Sequence, residues 1–363
     1  MERKFWDYRT EKMERGTVVR RNVTHRDVAE KAGVSATTVS FVLNGRTEAN
    51  ISEETKQRVF EAAQALGYVP SAAAQALARG RTQTFGLISK EGHYAPSFAW
   101  EELVSGVLSV TRQHNFRLLV DQVGEKDHQE SYLRLAQAKS IDGLILPEPS
   151  LNNAGIQYLS DHNFPVVVLG HLPEPRLTEI DFDNEGGARA VVEHLLALGH
   201  TQIACITNTL AADNLTSLRE RLQGYKQALA AANIPFNPQL IRYGVDTEQS
   251  GYENMLNLLD QGPAFTAVFA LNDAVALGAM AAIQERGLKI PQSIAVAGFD
   301  DNPFAAYLNP SLTSVKLPFK ELGRLAGEML VNLVNEQAEP GLQVTVPVQL
   351  VIRKSTNHIA SQR

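Results

Sequence analysis

THRDVAEKAGVSATTVSFVLNG, residues 24–45, spells two short helices across a tight turn. Val28, Ala29 and Ala32 fall on one face of the first helix, Thr24 stands at its N-cap with Asp27 three residues on, and Gly33 ends it. Ser35 caps a second helix that carries Val39, Val42 and Leu43 and stops at Asn44-Gly45. Two helices so spaced form a helix-turn-helix, whose second helix enters the DNA major groove. The spacing by itself also suits a small helical bundle with no role on DNA.

Working outward, Ser52 opens a third helix with Glu53 and Glu54 in its first turn and Val59, Ala62, Ala63 and Leu66 facing inward. The three helices predict an all-α domain over residues 23–69. After Pro70, SAAAQALARG (71–80) favours helix, with Ser71 as cap and Gly80 as stop. So short a helix is unstable alone in water, which predicts a conditional hinge helix and linker over 70–83. Residues 1–22 show no periodicity and read as a disordered, mildly basic arm. Met13 repeats the opening Met-Glu-Arg and is a second candidate start.

From Thr84 the texture changes. Compact apolar runs such as Phe85-Gly-Leu-Ile, Val166-Val-Val-Leu, Ala267-Val-Phe-Ala and Ile294-Ala-Val-Ala alternate with helical stretches. That rhythm predicts parallel sheets with helices on both faces. About a dozen strands exceed what one sheet usually holds, so two α/β lobes are expected. The predicted two-lobed domain covers 84–354, with lobe 1 over 84–183 and 313–340, lobe 2 over 184–312 and 341–354, and a tail over 355–363. A ligand then belongs in the crevice beyond the carboxyl ends of the strands.

The whole chain is 363 residues long, 44% hydrophobic and 20% charged, which is ordinary for two or three globular units. Its net charge of −6 argues against nucleic acid as a partner, but the average hides a split: +4 through residue 83 and −10 beyond. Much of the positive excess sits in the arm, where seven basic residues face four acidic ones; over 23–83 the count is seven against six. DNA affinity must then rest on where Arg26, Arg46, Arg79 and Arg81 point, together with hydroxyls and helix ends.

A single cysteine, Cys205, excludes an intramolecular disulfide and a Cys-cluster zinc site. No run of about 18 apolar residues occurs, so no membrane partner is expected. The N-terminus lacks the apolar middle of a signal peptide, which makes the cytoplasm the expected compartment. The chain has no G-x-G-x-x-G, no P-loop, no H-E-x-x-H and no nucleophile elbow. No catalysis, cofactor or metal is expected.

The run VSATTVSFVLNG (34–45), followed by ISEETKQRVFEAAQALGYVPSAAAQALARG (51–80), resembles the lac-repressor family of bacterial transcription regulators. The likeness continues through EHLLALGH (193–200), RERLQGY (219–225), LNDAVALG (271–278) and VAGFDD (296–301). It implies an N-terminal all-α helix-turn-helix domain plus an α/β two-lobed, periplasmic-binding-protein-like effector domain. The implied function is a sequence-specific DNA-binding regulator, a repressor under control of a small-molecule effector. Its implied partners are a pseudo-palindromic double-stranded operator, a second copy of the chain and an effector, with sugars the commonest class and nucleobases second. A tail without a leucine heptad speaks against a helical tetramer.

The resemblance also implies roles. Ser35 starts the recognition helix and suits a phosphate contact; Ala36 and Thr37 face base edges. Thr38, Ser40 and Asn44 look like phosphate-positioning residues, which fix register, and Thr24 is a further DNA-binding candidate. Phe41 departs from relatives with Arg or His there; it either meets a thymine methyl or packs on its own helix. Leu77 matches a hinge leucine that wedges into the minor groove and kinks the duplex, and Arg79 stands near enough to anchor there. In the crevice, Arg221 matches a ligand-facing guanidinium and Asp300 a ligand-accepting carboxylate. Asn272, His171 and the aromatic residues Phe98, Trp100 and Phe319 complete the expected effector site.

Two other readings share parts of this pattern. A solute-binding protein of a transporter has the two-lobed fold but should carry a signal peptide and lack residues 24–80. An α/β sugar-processing enzyme should carry a catalytic constellation.

Overall fold

A computed structural model of the chain describes residues 23–43, 51–69, 75–76, 80–90, 97–149, 154–172, 176–208 and 216–357. The arm over 1–22 and the expected contacts Asn44, Arg46, Leu77 and Arg79 lie outside the described residues. The chain divides between Thr82 and Gln83 into two compact units.

The smaller unit holds α1 (His25–Ala32), α2 (Ala36–Leu43) and α3 (Glu53–Leu66). Their ends follow local chemistry. The Asp27 carboxylate accepts from both the backbone N–H and the hydroxyl of Thr24, at 2.7 and 2.8 Å. Gly33 then turns the chain in the left-handed conformation, φ 67°, which costs a glycine little. Ser35 Oγ accepts from Thr38 N at 3.0 Å, and Ser52 Oγ accepts from Thr55 N at 3.3 Å. One residue from each helix, Val28, Val39 and Val59, is fully buried at the centre of this small core.

The larger unit continues with β1 (Thr84–Lys90), α4 (Phe98–Gln113), β2 (Arg117–Val123), α5 (Glu125–Gln137), β3 (Gly143–Pro147), α6 (Ala154–Asp161), β4 (Val166–Leu169) and β5 (Thr178–Phe182). After α7 (Asn184–Ala197) come β6 (Ile203–Asn208), α8 (Thr216–Ala231), β7 (Ile241–Gly244), α9 (Glu248–Gln261), β8 (Ala267–Ala270), α10 (Asp273–Glu285) and β9 (Ala295–Asp300). The last elements are β10 (Thr313–Lys316), α11 (Phe319–Val334), β11 (Gln343–Val346) and β12 (Gln349–Val351).

The strands form two six-stranded sheets, in the orders β11-β5-β4-β3-β1-β2 and β12-β10-β9-β8-β6-β7. All pairs are parallel except β10 with β12. Helices α4 and α11 cover one face of the first sheet, and α5 and α6 the other. A Cβ on Gly106 of α4 would collide with the Lys320 carbonyl of α11, so the two backbones are in near contact. In the second sheet α9 and α10 share an apolar cluster with β8. The remaining cluster runs through both lobes, from Phe85 and Leu87 to Phe269 and Phe299.

The lobe boundaries differ from the sequence expectation near the C-terminus. Residues 313–316 pair with β9 in the second lobe, not the first, and residues 343–346 pair with β5 in the first lobe, not the second. The chain crosses just after each of these strands, so α11 is first-lobe while the strand before it is not. Nothing in the alternation of residues 313–346 marks which sheet a strand will join, because either edge satisfies the same pattern.

Candidate functional site

Two sheets whose strands end on either side of a gap leave strand-end residues and helix N-termini facing a common cavity of about 220 Å³. Arg221, on the first turns of α8, is 7% exposed and lines it. Its Nε donates to Asn184 Oδ1 at 3.0 Å, and one terminal nitrogen donates to the Leu271 carbonyl at 2.7 Å and to Asp300 Oδ1 at 3.3 Å. The guanidinium lies 4.0 Å from the centre of the Phe299 ring, which fixes its plane.

Asp300 is the last residue of β9 and has φ 108°, a conformation that strains any residue with a side chain. The turn behind it is held by buried Asp273. Asp273 accepts from Ser314 Oγ at 2.6 Å and Asn302 N at 2.7 Å, while Ser314 Oγ accepts from Asp301 N at 3.0 Å. Burial pushes the Asp300 carboxyl up to about 7; Arg221 pulls it down and the charges of Asp246 and Glu148 add to the rise. Burial and the nearby Asp300 raise Asp273 well above the usual carboxylate range. Asn272 caps α10, accepting from Val275 N at 2.7 Å, and donates from Nδ2 to Asp246 Oδ1 at 2.9 Å. Phe319 closes one wall, edge-on to Phe182 at 5.1 Å between ring centres.

Arg221, Asn272, Asp300 and Phe319 are thus brought together. Phe98 and Trp100 are not. The cavity takes Ser97 and Ala99 from the start of α4. Trp100 is turned instead toward a groove with Val104, Leu108 and Lys320, and Phe98 is 45% exposed. The reason is helical rotation: residues adjacent in sequence point about 100° apart around the axis. His171 is also absent from the lining; its ring Nδ1 is 2.8 Å from Glu220 Oε1.

Three carboxylates in the lining were missed: Glu148 after β3, Asp181 within β5 and Asp246 after β7. Glu148 accepts from Ser217 Oγ at 2.8 Å. Asp181 is pushed up to about 7, first by burial and then by the charge of Glu148. For Glu148 the available signal was position, since it directly follows the apolar strand run Gly143–Pro147, where crevice residues lie; Asp246 follows the mixed strand Ile241–Gly244 by one residue and carried no such signal.

On the smaller unit, Ala36 and Thr37 stand exposed at the start of α2, opposite buried Val39 and Val42. Thr24 and Ser35 are exposed, and Thr38, Ser40 and Phe41 are half-buried. The Ser35 hydroxyl is also 2.8 Å from that of Thr38.

A three-helix unit with an exposed second helix, joined to a two-sheet unit with a polar cleft, defines a ligand-responsive DNA-binding protein. Residues 24–71 match the family described as bacterial regulatory proteins, lacI family, and residues 192–356 match the periplasmic binding protein-like domain. The transcriptional repressor PurR of Aliivibrio salmonicida is 32% identical over 93% of this chain and 99% of its own length. Among solved structures, a lac repressor dimer bound to operator and the anti-inducer ONPF aligns with TM-score 0.81 and 32% identity, covering 93% of this chain and 99% of that one. A complex of the transcriptional regulator CelR with cellobiose aligns with TM-score 0.71 and 30% identity over 92% and 99%.

The chain belongs to the lacI family of bacterial regulatory proteins. It is a DNA-binding transcriptional repressor under small-molecule control, and not an enzyme. Among the described residues no helix is long and apolar enough to cross a membrane.

Proposed function

We propose that the cleft binds a sugar, and that its occupancy changes the affinity of a dimer for a pseudo-palindromic operator. The observation that carries the sugar reading is the chemistry of the lining. Glu148, Asp181, Asp246 and Asp300 offer acceptors, Arg221 and Asn272 offer donors, and Phe319 offers an apolar wall. Sugar hydroxyls both donate and accept, so vicinal hydroxyls satisfy such an alternation. A nucleobase, suggested by the PurR relative, is disfavoured because Phe98 and Trp100, which could have sandwiched a flat ring, are outside the lining.

On DNA, Ala36 and Thr37 read base edges, while Thr24, Ser35, Thr38, Ser40 and Asn44 position the helix on phosphates. Phe41 contributes an apolar contact at most. Leu77 wedges the operator centre and Arg79 follows it into the minor groove. Two recognition helices need two half-sites, which is the argument for a dimer, and a repressor meets its operator in the cytoplasm.

Calorimetric titration of the full chain with cellobiose, glucose, hypoxanthine and guanine tests the cleft. A sugar should bind and shift operator affinity in a gel-shift assay. Binding of a purine with no binding of either sugar would reject the reading.

A further inference from the structure

One corner of the cleft is closed by contacts that run directly from lobe to lobe. His171, just after β4, belongs to the first lobe, and Glu220, on α8, to the second. Their side chains meet at 2.8 Å between Nδ1 and Oε1. Two further contacts leave the first turn of α8: Thr216 Oγ1 accepts from the His171 backbone N–H at 3.3 Å, and Ser217 Oγ donates to Glu148 at 2.8 Å. Asn184, where the chain crosses from β5 into α7, ties this corner to the cavity. Its Nδ2 donates to Asp181 Oδ2 at 3.2 Å and Glu220 Oε2 at 3.4 Å, and its Oδ1 accepts from Arg221 Nε.

We propose that His171 and Glu220 are positioning residues, an ionic latch that holds the two lobes in this arrangement and is loosened or tightened by the effector without touching it. The proposal rests on the cavity being the effector site. The coupling route is short because three groups serve both structures. Glu148, Asp181 and Arg221 line the cavity; Glu148 is bonded to Ser217 of α8, and Asp181 and Arg221 are both bonded to Asn184, whose Nδ2 also reaches Glu220. A ligand hydroxyl that takes an acceptor position on Glu148 competes with Ser217, and one bonded to Arg221 pulls on Asn184. Such a shared network supplies the differential contact between two lobe arrangements that any population shift requires.

The electrostatics fit a charged latch. Facing the His171 ring are Glu220 from α8 and Asp181 and Glu179 from β5, with Glu148 facing Asp181 in turn. The hydrogen bond to Glu220 outweighs the burial that opposes charge, and the imidazole is pushed up to about 9. The ring is thus cationic at neutral pH and loses its charge, and with it the ionic latch, as pH rises through that value. His171, Asp181 and Glu220 have the composition of a metal cluster, with ligand atoms within 4.8 Å of one another. Here, however, the ring nitrogen bonds Glu220, while Asp181 accepts from Phe182 N and Asn184.

The test is a pair of nitroxide labels in the full chain, one on each lobe, at Y158C and Y243C; both tyrosines are exposed, and the native Cys205 is buried. In unliganded protein near pH 7.5, H171Q and E220Q should each raise the population of a second interlobe distance by at least about fivefold. The H171Q/E220Q double variant should do no more than either alone, since a pairwise contact is lost only once. Wild type near pH 10 should resemble H171Q, which itself should not respond to that pH change.

Unchanged distances in both variants, or additive effects in the double variant, would overturn the latch. If E220Q unfolds, H171N and E220D give the same comparison. Titration with cellobiose separates this proposal from the cleft reading. Loss of binding in H171Q as complete as in R221A would make His171 a ligand contact and overturn the positioning role. If neither cellobiose nor glucose binds wild type, the sugar reading fails, while the label distances still decide the latch.

Discussion

Arg221 is held on several sides before any ligand arrives: Asn184, the Leu271 carbonyl, Asp300 and the Phe299 ring each fix one aspect of its guanidinium. The second terminal nitrogen carries none of these bonds and is the one placed to donate to a ligand, and a lysine ammonium cannot reproduce a fork that makes all of them at once. Arg221→Lys and Arg221→Ala should therefore each weaken effector binding by at least about tenfold, since charge-assisted hydrogen bonds contribute about 1.5–3 kcal/mol. Operator affinity without ligand should stay within about twofold, because the substitution is remote in sequence from the helix-turn-helix. Calorimetry and gel shifts on the same preparations check both.

Asp300 carries a second expectation. Its folded-state carboxyl is raised to about 7 from a reference value of 3.8. The native state then holds more protons on this group than the unfolded chain between those values, so its contribution to stability falls as pH rises through that window. Asp300→Asn removes that titration. The melting temperature of the variant relative to wild type should climb from about pH 5 to about pH 7.5. A constant difference across this range would mean that Arg221 neutralises the buried charge.

At the scale of elements, the helices of the smaller unit were legible because their ends are written in short-range chemistry. Thr24 with Asp27, Gly33 and Ser52 each satisfy or terminate backbone groups a few residues away. Replacing Ser52 by alanine leaves one N-terminal amide of α3 without its acceptor and should cost about 1 kcal/mol, read as a lower melting point of that unit alone. The strand ends were harder to read. The segment TEIDF of β5 alternates polar and apolar residues like a half-exposed strand, yet all five residues are buried. Asp181 reads as a solvent residue until the second lobe is seen to cover it. Arg221 and Asp300 were found through the motifs around them, whereas the facing of Phe98 and Trp100 depended on the rotation of α4. That rotation is set by its packing against α11, a partner more than 200 residues away. Gly106→Ala tests that packing, because the added methyl meets backbone that cannot give way. It should destabilise the larger unit by about 1–3 kcal/mol in denaturant unfolding.

For the whole molecule, connectivity decides how many parts melt independently. One linker joins the two units at residues 82 and 83. The two lobes, by contrast, are joined by three chain crossings, after β5, β10 and β11, and share the apolar cluster from Phe85 to Phe299. Neither lobe can therefore lose its sheet without exposing the core of the other. The smaller unit has only a thin core around Val28, Val39 and Val59, and domains of that size are marginal. Scanning calorimetry should show two transitions, not three, with the smaller unit melting first. A bound sugar should raise only the upper transition, by an amount that grows with the logarithm of its concentration, and operator DNA should raise the lower one. Effector and operator added together should then each diminish the other's stabilisation by the same free energy if the sugar releases DNA, or each increase it by the same free energy if it promotes binding, because coupling between two sites is reciprocal. Transitions that respond to their own ligand but ignore the other would mean that the cleft and the DNA-reading helices are not thermodynamically linked.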